Sequence, residues 1–318
     1  MLSDHKKGET YSIYLLIKAA EKRTTSKGSP YIRLTLTDRS GEIQANLWDA
    51  SDQDVEKYIA GRVAYLTVLQ DEYQSKAQLK IQEIRLANDN EPGDPSLYEI
   101  SSPISKKDLQ SQVSDLLFQI TNPTWNRIVR NVLNKYADKY YDYPAAEKLH
   151  HAYRGGLAFH SLSIAKLAIK VAELYPQINL SLLLSGALLH DIGKTVELSG
   201  PVGTEYTNEG QLLGHIVIGD EILVESAEEL GFDLHSEDML LLRHLIISHH
   251  NKLEFGSPIP PRELEAYVLS KLDDLDAHIQ MITAALNKTE RGHFSEKIFG
   301  ADNQPYYRSN ADLPQNND

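Results

Sequence analysis

Apolar and polar positions alternate in short runs between residues 10 and 87, and from residue 105 onward apolar positions return at helical intervals. The clearest alternation is at 31–38, Tyr-Ile-Arg-Leu-Thr-Leu-Thr-Asp. The turn residues Arg39, Ser40 and Gly41 follow, then a second run at 42–48, so the pair predicts a hairpin. A looser run at 11–19 ends in a polar, basic loop over 21–30. Two more runs, 62–70 and 78–87, flank a loop at 71–77. Residues 51–59, with Ser51 as N-cap, predict a short helix between the third and fourth strands.

Five strands with a helix in that place are the order of an OB-fold. Such small barrels bind oligonucleotides on the strand 2–3 face and with the 1–2 and 4–5 loops. That face and those loops hold Lys22, Arg23, Lys27, Tyr31, Arg33, Trp48, Tyr73 and Lys76. Basic side chains interleaved with aromatics suit a groove that tracks a backbone and stacks bases.

Residues 91–104 are rich in turn formers and read as a linker. The pattern beyond is helical. Ser105 with Asp108 resembles a capping box, and Leu109, Val113, Leu116, Leu117 and Ile120 keep helical spacing. Asn122-Pro123 separates this helix from one over 124–141, and further helices are predicted at 161–175, 180–190, 212–230, 236–249 and 261–286. The fold class is therefore multidomain: an all-β OB-fold barrel over 1–90, the linker, an all-α domain over 105–290, and a polar tail over 291–318.

Composition narrows the chemistry. Apolar content of 41% and charged content of 24% are those of a globular protein. There is no cysteine, which excludes a disulfide scaffold, a thiolate nucleophile and any zinc-finger or iron–sulfur site. A metal would have to be held by His, Asp and Glu. The N-terminus lacks the apolar core of a signal peptide, and the longest apolar run, near 180–189, is too short to span a bilayer. These point to the cytoplasm and away from membranes. Residues 1–90 carry 13 Lys+Arg and 13 Asp+Glu, so the whole net charge of −13 lies in 91–318. The neutral first part is the better dock for a polyanion, and bound cations would offset charge in the second.

Chemistry concentrates at residues 188–194, Leu-Leu-His-Asp-Ile-Gly-Lys. His190 and Asp191 offer an imidazole and a carboxylate from one point, which suits a divalent cation. Lys194 adds a charge able to hold a phosphate oxygen. Other His and Asp residues fall at helix ends or beside glycines: His160, His215 after Gly214, His249-His250, and Asp273-Asp274 within the last helix. His150 and His151 precede the Gly155-Gly156 turn and read as a polar surface pair, with lining of a substrate path as the other reading.

In this order, and around an intact His-Asp-Ile-Gly-Lys core, residues 150–290 resemble the HD-domain metal-dependent phosphohydrolases. The resemblance implies His160, His190, Asp191, His215, His249 and Asp273 as ligands, with His250 alternative or additional, around two ions that Asp191 can bridge. Asp276 is placed outside the ligands, Lys194 on the phosphate, and Arg154 at the mouth, steering the backbone.

The layout of barrel, linker and helical domain resembles, over nearly the whole chain, the YhaM-type family of bacterial 3′-to-5′ exoribonucleases. That implies stepwise hydrolysis of single-stranded RNA, and of single-stranded DNA as a further substrate, to nucleoside 5′-monophosphates. It implies Mn²⁺ as the favoured ion, with Mg²⁺ and Co²⁺ also accepted by such ligands, and a homo-oligomer. Two rivals are an HD phosphodiesterase for a cyclic or small nucleotide, and a non-catalytic single-strand binder. The complete ligand set disfavours the second.

Overall fold

The computed structural model describes residues 1–25, 28–73, 76–98, 101–147 and 151–311, without the side chains of Tyr73 and Lys76. The chain divides into two compact units, Met1–Ser101 with Pro201–Gly203, and Ser102–Gly200 with Thr204–Asp318.

In the first unit, β1 (Thr10–Thr24), β2 (Pro30–Asp38), β3 (Gly41–Trp48), β4 (Val63–Tyr73) and β5 (Lys76–Leu86) close into a barrel in the order β1-β2-β3-β5-β4. Neighbours are antiparallel except β3 and β5, which run parallel. Helix α1 (Asp52–Lys57) lies between β3 and β4, and the Ser51 hydroxyl caps it by accepting from the Asp54 amide at 3.2 Å. This is the OB-fold that the alternation predicts. Ile32, Leu34, Leu36, Ala45, Leu66, Val68 and Leu79 fill the barrel and are at most 1% exposed. Burying each large one is worth about 1.5–3 kcal/mol, and a slip of one residue would turn that whole row outward. Register is thereby fixed, and Tyr31, Arg33 and Thr35 take the other face.

Two loops are shorter than expected. Residues 21–24 continue β1 because Glu21, Lys22, Arg23 and Thr24 pair with Arg33, Ile32, Tyr31 and Pro30 of β2. Strands β4 and β5 likewise pair out to Tyr73 and Lys76. Cross-strand pairing overrides polar composition here.

The second unit is helical: α2 (Lys106–Leu117), α3 (Pro123–Lys135), α4 (Ala137–Tyr140), α5 (Gly156–Leu174), α6 (Leu180–Leu189), α7 (Lys194–Glu197), α8 (Asn208–Glu229), α9 (Glu237–Ser248) and α10 (Leu264–Asn287). Ser105 caps α2, and the Asn122 side chain caps α3 through the amides of Thr124 and Trp125. The helix expected over 124–141 is broken at Tyr136 (φ −106°, ψ 13°). After the break Tyr140 is wholly buried, and its hydroxyl donates to the Leu188 carbonyl at 3.1 Å.

Helix α6 is the axis of this core. Every residue from 181 to 190 is buried, and α3, α5, α9 and α10 pack around it. A Cβ at Gly186 would stand 2.3 Å from the end of the Leu245 side chain of α9, so a larger residue there would push that side chain aside. Among the described residues no helix is long and apolar enough to cross a membrane. Beyond α10 the chain forms two isolated antiparallel bridges, Phe294 with Tyr307 and Ile298 with Gln304, around buried Ala301.

Candidate metal centre

The C-terminal end of α6 delivers His190 and Asp191 into the core, 0% and 2% exposed. His160 lies one turn inside α5, which starts at Gly156 rather than at the expected 161, because Gly155 caps it in a left-handed conformation (φ 75°). His215 follows a break in α8 at Gly214 (φ 74°, ψ 153°). His249 and His250 follow α9, while Asp273 and Asp276 lie within α10. A Cβ at Gly193 would be 2.0 Å from the His215 carbonyl oxygen, so the backbone after Asp191 can reach His215 only as glycine.

The ring orientations follow from hydrogen bonds on the far side of each imidazole. His190 Nδ1 meets the Ala187 carbonyl at 3.1 Å, His249 Nδ1 meets that of Ile246 at 2.7 Å, and His250 Nδ1 meets that of Phe255 at 2.7 Å. A carbonyl only accepts, so each Nδ1 carries a proton and Nε2 is the atom turned to the centre. Carboxylates orient the other two rings. His215 Nδ1 donates to Glu197 Oε1 at 3.0 Å, and His160 Nδ1 donates to Asp276 Oδ2 at 2.7 Å.

The Nε2 atoms gather on either side of the Asp191 carboxylate. Oδ1 is 3.5 Å from His215 Nε2 and 3.8 Å from His249 Nε2. Oδ2 is 3.3 Å from His190 Nε2, 3.7 Å from His160 Nε2 and 2.7 Å from Lys194 Nζ. Asp273 Oδ1 lies on the second side, 3.0 Å from His160 Nε2. Asp191, His215, His249 and His250 bring ligand atoms within 4.8 Å of one another, and so do His160, His190 and Asp191.

Asp191 Oδ1, His215 Nε2 and His249 Nε2 are buried with no hydrogen-bond partner. Leaving such groups unpaired costs about 1–3 kcal/mol each. One carboxylate oxygen and two lone pairs cannot satisfy each other, whereas a cation satisfies all three. The donor set of imidazole nitrogens and carboxylate oxygens fits a divalent metal.

Charge is arranged to match. Burial favours neutral Asp191, but the charge of Lys194 outweighs it and holds the carboxyl well below its usual range. Burial likewise opposes charge on Lys194, and Asp191 more than restores it. Burial pushes His249 and His250 down, so both rings are neutral. His160 is the exception: burial works against its charge, yet bonds to Asp273 and Asp276 lift it to about 9.

Two residues join the centre beyond the expected ligands. Glu197 of α7, 7% exposed, accepts both the His215 amide and its Nδ1–H, each at 3.0 Å. His151 is no surface residue: it is 2% exposed, with Nε2 2.7 Å from Asp276 Oδ2 and Nδ1 2.7 Å from the Tyr153 hydroxyl. His150 lies outside the described residues. Arg154 is held in a two-pronged pair with Asp142, at 3.1 and 2.7 Å.

On the barrel, Arg23, Tyr31 and Trp48 fall side by side across β1, β2 and β3, and the next row on that face is Glu21, Arg33 and Asn46. The Tyr31 and Trp48 rings lie 4.9 Å apart at 34°, and Trp48 is 55% exposed. Lys22 pairs with Asp52 at 2.8 Å, and Arg23 with Glu21 at 2.8 Å. Lys27 lies outside the described residues, as do the side chains of Tyr73 and Lys76.

An OB barrel joined to a helical unit with this His/Asp centre defines an HD-domain phosphohydrolase, and the family model for the HD domain matches residues 157–278. A helicase-family model, TraI_2, matches residues 104–177, which include only His160 of the proposed ligands. The 3′-5′ exoribonuclease YhaM of Listeria innocua serovar 6a is 42% identical over 306 residues, covering 96% of this chain and 97% of that protein. Its namesake from Listeria monocytogenes serotype 4b matches with the same identity and coverage. A domain of replication protein A from Methanococcus maripaludis is a distant structural neighbour, at 18% identity and a TM-score of 0.24, covering 27% of this chain and 92% of that one. The chain belongs to the YhaM family of 3′-5′ exoribonucleases.

Proposed function

We propose that the chain is a metal-dependent exoribonuclease that removes nucleoside 5′-monophosphates stepwise from the 3′ end of single-stranded RNA, and of single-stranded DNA as a further substrate. The observation that carries this is the two-sided Asp191 carboxylate, with unsatisfied acceptors converging on Oδ1 and a second imidazole pair on Oδ2. On this reading two divalent ions, Mn²⁺ in preference to Mg²⁺ or Co²⁺, are held by His215, His249, His250 and Asp191 on one side. His160, His190, Asp191 and Asp273 hold the other. When bound, such ions polarise the phosphodiester and acidify an attacking water.

The chain's own residues prepare that chemistry. Glu197 and Asp276 fix the rings of His215 and His160, His151 steadies Asp276, and buried Lys194 holds Asp191 while adding positive field where phosphate charge develops. The row of Arg23, Tyr31 and Trp48, with Arg33 in the next row, holds the upstream strand by stacking and charge, whereas Lys22 pairs with Ile32 and falls on the opposite face. Arg154 steers the backbone from its pair with Asp142. An RNA substrate fits a cytoplasmic protein, and a homo-oligomer would let several barrels share one strand.

The test is incubation of a 5′-labelled single-stranded RNA with the protein and each cation in turn. A ladder shortening from the 3′ end, strongest in Mn²⁺, supports the reading. Internal cuts, or hydrolysis of cyclic dinucleotides alone, would overturn it.

A further inference from the structure

Beside the centre, residues 251–257 form a short surface loop whose ring-bearing residue is tied to a proposed ligand. His250 donates its amide to Ser257 Oγ at 3.1 Å and its Nδ1–H to the Phe255 carbonyl at 2.7 Å. The loop is tightly made: Leu253–Phe255 is a single 3-10 turn, Asn251 and Gly256 take left-handed conformations, and Ser257 is buried. Its backbone is therefore fixed relative to His250. Its side chains go the other way. Phe255 is 58% exposed and Leu253 76%, although burial of either would be worth about 1.5–3 kcal/mol. The Lys252 ammonium lies 5.1 Å from the centre of the Phe255 ring and 3.5 Å from Glu254 Oε1, an exposed pair that a phosphate can displace.

We infer that Phe255 is the stacking platform for the 3′-terminal nucleobase, with Lys252 beside it for the adjoining phosphate. The inference rests on the exonuclease reading above. An exonuclease indifferent to sequence must hold whichever base stands at the end, and every base offers a π-face. Attraction by charge is weak in this part of the chain, since residues 91–318 carry 19 Lys+Arg against 32 Asp+Glu. Stacking works regardless of that sign. Because the Phe255 carbonyl also orients His250, the terminal base and the metal centre share one rigid loop.

The test compares the wild type, Phe255→Ala and Phe255→Trp on two otherwise identical oligoribonucleotides, one ending in a normal nucleotide and one in an abasic residue. Initial removal of the terminal unit is followed at saturating Mn²⁺. On the normal end Phe255→Ala is expected to raise KM roughly 5- to 150-fold with a smaller change in kcat. The abasic end imposes a similar loss on the wild type and little more on the Ala variant, and Trp restores the wild-type KM. Mn²⁺ affinity, titrated on the metal-free protein, stays unchanged, because the contact to His250 is through the backbone. An unchanged KM in the Ala variant overturns the inference, as does an equal loss on both ends or weakened Mn²⁺ binding. Failure of the wild type to shorten either strand from the 3′ end would instead strike the exonuclease reading itself.

Discussion

Glu197 is the sharpest place to test how the centre is held. Its Oε1 takes both the amide and the Nδ1–H of His215, and nothing in the ligand motif marks it. Replacing it by leucine keeps most of the volume and removes the acceptor. Two buried donors then lose their partner, at about 1–3 kcal/mol each, partly offset because a buried carboxylate no longer has to be desolvated. Metal affinity suffers separately. Without Glu197 nothing holds a proton on Nδ1, and the ring is free to carry it on Nε2, the atom that faces Asp191 Oδ1 at 3.5 Å. Losing such a carboxylate–histidine contact lowers affinity about 10- to 100-fold, or roughly 1.4–2.7 kcal/mol. Calorimetric titration of the metal-free protein with Mn²⁺ measures it. Glu197→Leu should weaken one of two sites by that factor and spare the other, because His215 faces only one side of Asp191. Glu197→Gln, which still offers an oxygen to Nδ1–H, should recover most of the loss. If the Leu variant bound both ions as the wild type does, the tautomer argument would be wrong. Equal weakening of both sites would sink the division of the centre at Asp191.

Asp191→Ala should abolish Mn²⁺-dependent release of mononucleotides while leaving single-strand binding near wild type. It also strands buried Lys194, at about 3–5 kcal/mol, so melting should be recorded beside Asp191→Asn; collapse of strand binding in a folded variant would refute the division of labour. Trp48→Ala should weaken strand binding by about 1–3 kcal/mol at every salt concentration, whereas Arg33→Ala should reduce the slope of log affinity against log salt by about 1. The opposite pattern would show that the strand does not cross this face. Gly193→Ala would put a Cβ 2.0 Å from the His215 oxygen and 2.8 Å from the Gly219 nitrogen, both backbone atoms that cannot turn aside. A loss of about 1–3 kcal/mol or more is expected, seen as a drop in melting temperature, and an unchanged melting temperature would contradict the close approach.

The barrel was legible because its signal is local. Ile32, Leu34 and Leu36 alternate with Tyr31, Arg33 and Thr35, and a period of two has one reading when one face must be buried. The ends of β1 were not legible, since Glu21, Lys22 and Arg23 become strand only by pairing with β2. The helices were found by their apolar spacing, yet the break at Tyr136 depends on where Tyr140 is buried, which no local pattern records.

The same division holds at the centre. His160, His190, Asp191, His215, His249 and Asp273 stood out as an ordered set beside glycines and helix ends, and the fold brings them together. Glu197 and His151 had no such signature. A single glutamate three residues after Lys194 reads as a solvated charge, and a histidine beside another reads as surface. The one clue to Glu197 was its place right after the motif, and the one clue to His151 was the glycine pair that follows. Both serve by hydrogen-bonding a neighbour, and that role appears only when α5, α7, α8 and α10 are folded together.

Asp191, Glu197, Asp273 and Asp276 set four carboxylates around a single lysine. Without cations that cluster is electronegative even while His160 keeps its second proton, and a phosphodiester is repelled from it. One divalent ion leaves the sign unchanged once that proton is gone. Two reverse it. On the two-ion reading proposed above, occupancy by metal would govern admission of the strand's 3′ end to the centre as well as its hydrolysis, while the barrel binds the strand without it. A metal-starved protein would then keep a strand on its barrel with the 3′ end outside the centre, idle and still bound.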